Sequence, residues 1–408
     1  MTAPLLLAAL GTGSAAVLAA LGVPRRGRPA AVGALTGVSG ALGAAAGTVA
    51  LLGGVEGPGV FEIPVGPVHA GMIEPGHFRF SVVGETILKF KARLWFVHRG
   101  VEKLFQGRRP GDGVELVERI SGDTSVGHTL AFCQAVEDAI GTAVDVDTRR
   151  RRSVVLELER LYNHVTDIGA LCNGVGHGVL NAHALRVNEQ LLRVNDRVTG
   201  HRLLRGALSP GAADLRELPD VAELERIAAD VAETVGLALG HSVVRDRFTG
   251  TAVLTAAQAS DIGALGYVAR ASGLLVDARH DHPTVAPLPR LVHEPTGGDV
   301  LARFCVRAAE FARSVAIIVA TVAELDGRPA AAPSAPTGGP GSGIVEGWRG
   351  SIVHRVELGP DGTLTRVKVV DPSFHNWPAL PVALADTIVP DFPLANKSFG
   401  LSYAGNDL

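Results

Sequence analysis

The chain has 408 residues, 47 % hydrophobic and 19 % charged, enough to bury a large core and to allow two or three domains. A formal net charge of -3 without a dominant basic block excludes an electrostatic footprint for nucleic acid; the one basic run, RRRR at 149–152, reads as a solvated helix start or a docking patch. Cys133, Cys172 and Cys305 lie far apart without a CxxC pair, which excludes a disulfide framework and any iron–sulfur or zinc site held by this chain alone.

In chain order, the first element is apolar. Residues 5–23 carry no charge and match the ~20 residues of a bilayer span. A second uncharged stretch, 30–55, is dense in glycine at small-xxx-small spacings that suit helix packing. Arg25, Arg26 and Arg28 between them place that turn in the cytoplasm by the positive-inside rule. One span leaves the body of the protein in the cytoplasm, which is the preferred reading; a two-span hairpin would put it outside. A misassigned start, giving an Ala/Gly-rich leader, is the alternative. Residues 1–54 are therefore taken as an anchor or leader and 55–408 as one body.

From Val60 the stretches VFEIPVG, HFRFSVV and TILKFKARLWFV have the β-branched and aromatic content of strands. After Gly127 the pattern turns helical. In VVLELERLYNHVTDIGALC, Val154, Leu158, Leu161, Val165, Ile168 and Cys172 recur at steps of four and three, which predicts a long core helix. Further helices are predicted over 178–200, 219–238, 256–272 and 298–325, the last capped by Asp299. Residues 326–343 read as a flexible Pro/Gly/Ala/Ser loop, IVEGWRGSIVHRVEL and TLTRVKVV as a hairpin around GPDG, and the remainder as a largely irregular tail. The expected fold is mainly α (α+β): a central helix bundle with small β-sheets from the N-terminal and C-terminal parts of the body.

Two short motifs share a spacing. ERISGDTSVGH, at 118–128, is a tight turn feeding a helix, with Ser121 and Thr124 as S-x-x-T; DPSFHNWPAL holds Ser373 and Asn376 as S-x-x-N. Together with IPVGPVHAGMIEPGHFRF, AVEDAIG, LELERLYNHVTDIG, EGWRGSIVH and IVPDFPLANKSFGLSYAGNDL in order, they make residues 60–408 resemble the large subunit of membrane-bound nickel–iron hydrogenases of the formate-hydrogenlyase type, and the quinone-site subunit of respiratory complex I.

In those hydrogenases two C-x-x-C motifs bind nickel and iron. The resemblance matches their four cysteines to Ser121, Thr124, Ser373 and Asn376, whose oxygens are poor ligands for both metals. It therefore implies no metal and no cofactor bound by this chain. It implies instead a cavity kept for a quinone headgroup, with iron–sulfur clusters on a partner small subunit and antiporter-like membrane subunits that move ions. His69 and His77 resemble the histidine-bearing loop beside the headgroup, and His128 falls at the headgroup-binding position, where an imidazole can donate hydrogen bonds and protons. Glu74 matches the proton gate of the hydrogenases, and Glu137 and Glu157 stand on interior helices as proton relays. Arg119 and Arg349 flank the motifs and are expected to pair with Asp123 or Asp371. The alternatives are caps and core contacts for the histidines, and ion pairs such as Glu157 with Arg160 for the carboxylates.

The function implied is that of a subunit of an NADH- or ferredoxin-to-quinone oxidoreductase-like complex at the cytoplasmic face of the membrane. A non-catalytic scaffold of such a complex is the second reading, and an active hydrogenase a distant third.

Overall fold

The computed structural model describes residues 55–68, 74–283, 296–325 and 338–408. The apolar stretches before Val55, His69, and residues 326–337 of the predicted loop lie outside the described residues. Among the described residues no single helix is long and apolar enough to cross a membrane. Of two compact units, Met1–Glu62 and Ile63–Leu408, the second carries the architecture.

The predicted N-terminal strands form as β1 (Val60–Val65), β2 (His77–Val83) and β3 (Thr86–Arg93), a sheet in that order. In the β2–β3 hairpin Phe80 lies opposite Phe90, and alternation puts Phe78, Phe80 and Phe90 on one buried face. That face meets Phe392, Trp377 and Tyr403 from the last fifty residues.

The bundle is built on α1 (Ser125–Ile140), α2 (Val146–Gly174), α3 (Gly178–Thr199), α4 (Val221–Gly240) and α5 (Val300–Ala323). The step-of-four-and-three residues of α2 are all buried. Asp145 caps α2 by accepting from the Thr148 amide at 2.9 Å, and Asp299 caps α5 by accepting from Ala302 at 2.8 Å, as predicted for the latter. Gly169 lets α2 and α3 approach: a Cβ there would stand 2.6 Å from that of Ala184.

The C-terminal sheet is β4 (Pro340–Gly347), β5 (Gly350–Leu358) and β6 (Leu364–Val370), antiparallel in that order. The hairpin around GPDG joins β5 to β6 as expected. IVEGWRGSIVHRVEL, however, is two strands joined by a tight turn at Trp348 and Arg349, Gly347 pairing with Gly350. Residues 340–343 were expected in a loop and are strand. Their glycines serve contact with α1, since a Cβ on Gly341 would lie 2.1 Å from Ala135 O and one on Gly343 2.0 Å from Ala131 O.

Three other expectations change. The 256–272 helix is two, Ala256–Ile262 and Gly266–Ala271, broken at left-handed Gly263. The tail is not irregular but holds the short helices Pro372–Asn376, Ala379–Ala383, Phe392–Phe399 and Tyr403–Asp407. In the arginine run, Arg152 is buried instead of solvated, because its position in α2 points it at Glu137.

Candidate functional site

Three loops meet where α1 begins. Ser121 Oγ donates to Asp123 Oδ1 at 2.9 Å and lies 2.9 Å from Ser402 Oγ, and the Ser402 amide donates to Ser373 Oγ at 3.0 Å. The expected meeting of Ser121 with Ser373 thus occurs, with Ser402 between them. Ser402 was missed, although S-x-x-G at 402–405 repeats the spacing of the other two motifs; its hydroxyl accepts from the Gly405 amide and caps the last helix. Asn376 turns away, with its amide exchanging two hydrogen bonds with the Leu265 backbone.

Arg349, at the β4–β5 turn, closes on this junction. Its Nη1 and Nη2 donate to the two carboxylate oxygens of Asp123 at 2.8 and 2.7 Å, Nη1 also to Thr124 Oγ1 at 3.1 Å, and Nε to Gly400 O. The guanidinium lies 3.9 Å above the Trp348 ring, whose Nε1 donates to Thr124 Oγ1 at 3.1 Å. The turn is fixed from behind by Gly266, where a Cβ would meet Arg349 O at 2.0 Å. Burial opposes the charge on Asp123, but Arg349 and the hydroxyls of Ser121 and Thr124 hold its pKa down to about 2. Burial likewise works against the charge of Arg349, and Asp123 more than restores it. The Arg349 side chain is 8 % exposed and that of Asp123 40 %, so the carboxylate is the face of the pair turned to solvent.

The other expected site residues are more scattered. His128 is wholly buried, its Nδ1 3.0 Å from His354 Nε2 and its Nε2 3.0 Å from Asp371 Oδ2, so both ring nitrogens meet protein. Glu74 accepts from the Ala404 amide at 2.9 Å at the start of the last helix. His77 Nδ1 lies 3.3 Å from Gly66 O. Arg119 is half-exposed, paired with Glu115 and remote from both Asp123 and Asp371, because the turn after Val117 points it outward. Glu137 is clamped by Arg152 at 2.9 and 2.5 Å and by the Gly211 amide at 2.6 Å. Burial raises the pKa of Glu157, yet Arg160 at 3.0 Å, Arg279 at 3.3 Å and the Ser314 hydroxyl bring it below the ordinary value. Both carboxylates sit in ion pairs.

Sequence reasoning also missed Glu159, two residues along α2 from Glu157 and so on nearly the opposite face. Its oxygens accept from the Val126 and Gly127 amides at 2.6 and 2.9 Å at the start of α1, while burial pushes it up to about 8.

A nickel–iron centre is what the hydrogenase resemblance brings to this junction, and the donor set can be tested against it. The junction offers hydroxyls, one amide and a guanidinium; thiolates are absent from it. Among the described residues no group of three or more His, Cys, Asp or Glu could hold a metal ion. The cysteines are unpaired, and burial pushes Cys133 up to about 12 and Cys172 and Cys305 up to about 11. At Gly405 even a Cβ would fall 2.5 Å from Asp371 Cγ. These residues do not fit a nickel–iron centre.

Two family models match consecutive parts of the chain: nickel-dependent hydrogenase over residues 99–172, which includes the 121–128 turn, and the 49-kDa subunit of respiratory-chain NADH dehydrogenase over 175–340. Formate hydrogenlyase subunit 5 of Escherichia coli (strain K12) is 32 % identical over 85 % of this chain and 62 % of its own length. The chain belongs to the family that joins the hydrogenase large subunits to the 49-kDa subunits of complex I. Another relative, a component of the F(420)H(2) dehydrogenase of Methanosarcina mazei, is 28 % identical over 81 % of this chain and 92 % of its own. A chain of the membrane-bound sulfane sulfur reductase, an archaeal respiratory membrane complex, shares the fold with a TM-score of 0.78, covering 86 % of this chain and 98 % of its own at 22 % identity. The chain spans about three fifths of the first of these relatives. Members of the family are subunits of membrane-bound oxidoreductase complexes. Both family matches end before Trp348, so the Arg349 turn, Ser373 and Ser402 lie beyond them.

Proposed function

We propose that this chain, with an iron–sulfur small subunit, forms the site at which a membrane-attached complex reduces a quinone-type acceptor, without nickel or iron of its own. One observation carries the reading: Arg349, held by Asp123 and Thr124, presents a fixed positive charge where the loops of Ser121, Ser373 and Ser402 converge. A quinone gains negative charge on its oxygens as electrons arrive, and preorganised donors at those oxygens stabilise that charge. Arg349 and the hydroxyls of Ser121, Thr124 and Ser402 are the donors closest to hand. In this reading Ser373 and Asn376 hold the loops, Glu74 and His77 support the N-terminal side, and His69 is a further donor. Clusters on the partner supply electrons, NAD or ferredoxin chemistry belongs elsewhere in the complex, and antiporter-like membrane subunits translocate ions at the cytoplasmic face.

The test uses the purified complex. Elemental analysis should find no nickel attributable to this chain. Arg349→Gln should lower quinone reduction about 10²- to 10³-fold, the usual loss for one preorganised donor, while assembly is kept. About one nickel per chain would overturn the reading. The scaffold reading draws on the complete burial of His128, Ser373 and Asn376 among protein partners; under it Arg349→Gln leaves quinone reduction unchanged.

A further inference from the structure

Behind the Ser373 loop stands a line of three titratable side chains that the proposed site does not use. Asp371 caps the helix Pro372–Asn376, its Oδ1 accepting from the Ser373 amide at 2.7 Å. Its Oδ2 faces His128 Nε2, and His128 Nδ1 faces His354 Nε2, each at 3.0 Å. His354, in the middle of β5, ends the line: its Nδ1 is buried and has no partner among the described residues. All three residues are 1 % exposed or less. A tie between α1 and the Asp371 turn needs only one imidazole. The second adds a bare polar atom in an apolar setting, against the edge of the Phe132 ring, which is a poor way to staple a fold.

The charged surroundings are few. Arg349 acts on Asp371 and is itself neutralised by Asp123. Glu159 is held at the start of α1 by the Val126 and Gly127 amides. His354 feels only His128. The carboxylate fixes the tautomers: His128 Nε2–H donates to Asp371, so with neutral rings His128 Nδ1 accepts from His354 Nε2–H, and His354 Nδ1 carries a lone pair.

We infer that Asp371, His128 and His354 form a proton relay to the Ser373 loop, with His354 at the receiving end and Asp371 at the delivering end. A proton bound at His354 Nδ1 releases the Nε2 proton to His128 Nδ1, which releases its own Nε2 proton to Asp371. One proton enters, one carboxylic acid forms beside Ser373, and only N–H and O–H bonds change. Burial first, and His128 second, keep His354 well below the ordinary histidine range, so the resting line is unloaded and passes protons on. The use assigned to the proton rests on the proposed function: a quinone taking two electrons from the iron–sulfur partner needs two protons, and this line delivers one of them.

Two measurements test the relay. In the full chain, nitrogen-15 NMR of histidine should show His354 protonated on Nε2 and bare on Nδ1 at pH 7.5; His354 protonated on Nδ1 at that pH would overturn the inference. In the assembled complex, His354→Phe should lower kcat for quinone reduction about 10²-fold, with KM unchanged and the pH profile and solvent isotope effect altered. His354→Gln, which keeps a polar group of similar reach, should be as slow, which separates proton transfer from misfolding. Wild-type rates with an unchanged pH profile in both variants would overturn it. Should the wild-type complex reduce no quinone-type acceptor, the proposed function fails, and the tautomers alone decide on the relay.

Discussion

Replacing Glu137 with glutamine keeps the side-chain volume and removes the charge facing Arg152. Arg152 is 1 % exposed, and its other acceptors are backbone carbonyls, Ser209 O at 3.0 Å and Ala212 O at 3.3 Å. The variant therefore buries a guanidinium without its counter-charge. Breaking one half of such a pair costs about 3–5 kcal/mol. At about 2 °C per kcal/mol for a chain of this size, Tm falls by about 6–10 °C. Glu137→Gln with Arg152→Met removes both charges and should return to within about 1 kcal/mol of wild type, since an apolar pair of similar volume costs little. Urea unfolding of wild type, the two single variants and the double variant closes the cycle. The reasoning fails if Glu137→Gln unfolds within about 1 kcal/mol of wild type while the pH profile of quinone reduction shifts, because Glu137 would then be a proton relay and not a tie.

Glu159 makes stability depend on pH in the sense opposite to most carboxylates. Its folded pKa of about 8 lies above the unfolded value, so its contribution is full below pH ~4.3 and is lost as pH rises through 8. Glu159→Gln should gain in Tm relative to wild type between pH 6 and pH 9, and a difference independent of pH would refute this. His164 and His354 are both held below the ordinary histidine value by burial, so the unfolded chain binds more protons and stability declines as pH falls below ~6.5; the urea midpoint of His354→Phe should rise relative to wild type between pH 7 and pH 5.5, and parallel midpoints would contradict it. Gly341→Ala should cost about 3 kcal/mol, because its Cβ would meet Ala135 O and the Ala139 amide at 2.1 and 2.4 Å. Gly236→Ala, in the middle of α4 with nothing within 4 Å, should instead stabilise by about 1 kcal/mol in thermal unfolding.

The long helix α2 and the cap at Asp299 were legible because apolar spacing and an acid before a helix are local signals. Ser121 and Ser373 could be matched across the chain by their shared motif spacing, and Arg349 was placed with Asp123 as one of two options. Ser402 carried the same spacing but sat in a tail that looked irregular, since each of its helices is eight residues or shorter. The glycines of β4 were mistaken for loop because composition does not say whether a missing side chain serves flexibility or the close approach of a helix. The arginine run hid the fact that one of its four members points inward. His128 shows the limit most plainly: its partner His354 is 226 residues away, and no local pattern reveals that the ring faces it and not a ligand.

The central claim is that an acceptor is reduced where Asp123, Arg349 and Ser402 meet. A photoreactive quinone analogue, cross-linked to the purified complex and mapped by mass spectrometry, tests it most directly. The account predicts adducts within residues 119–125, at Trp348 or Arg349, or within 400–404, competed by unlabelled quinone and lost in Arg349→Gln. Competed labelling confined to a different surface of this chain, or to another subunit alone, would contradict it.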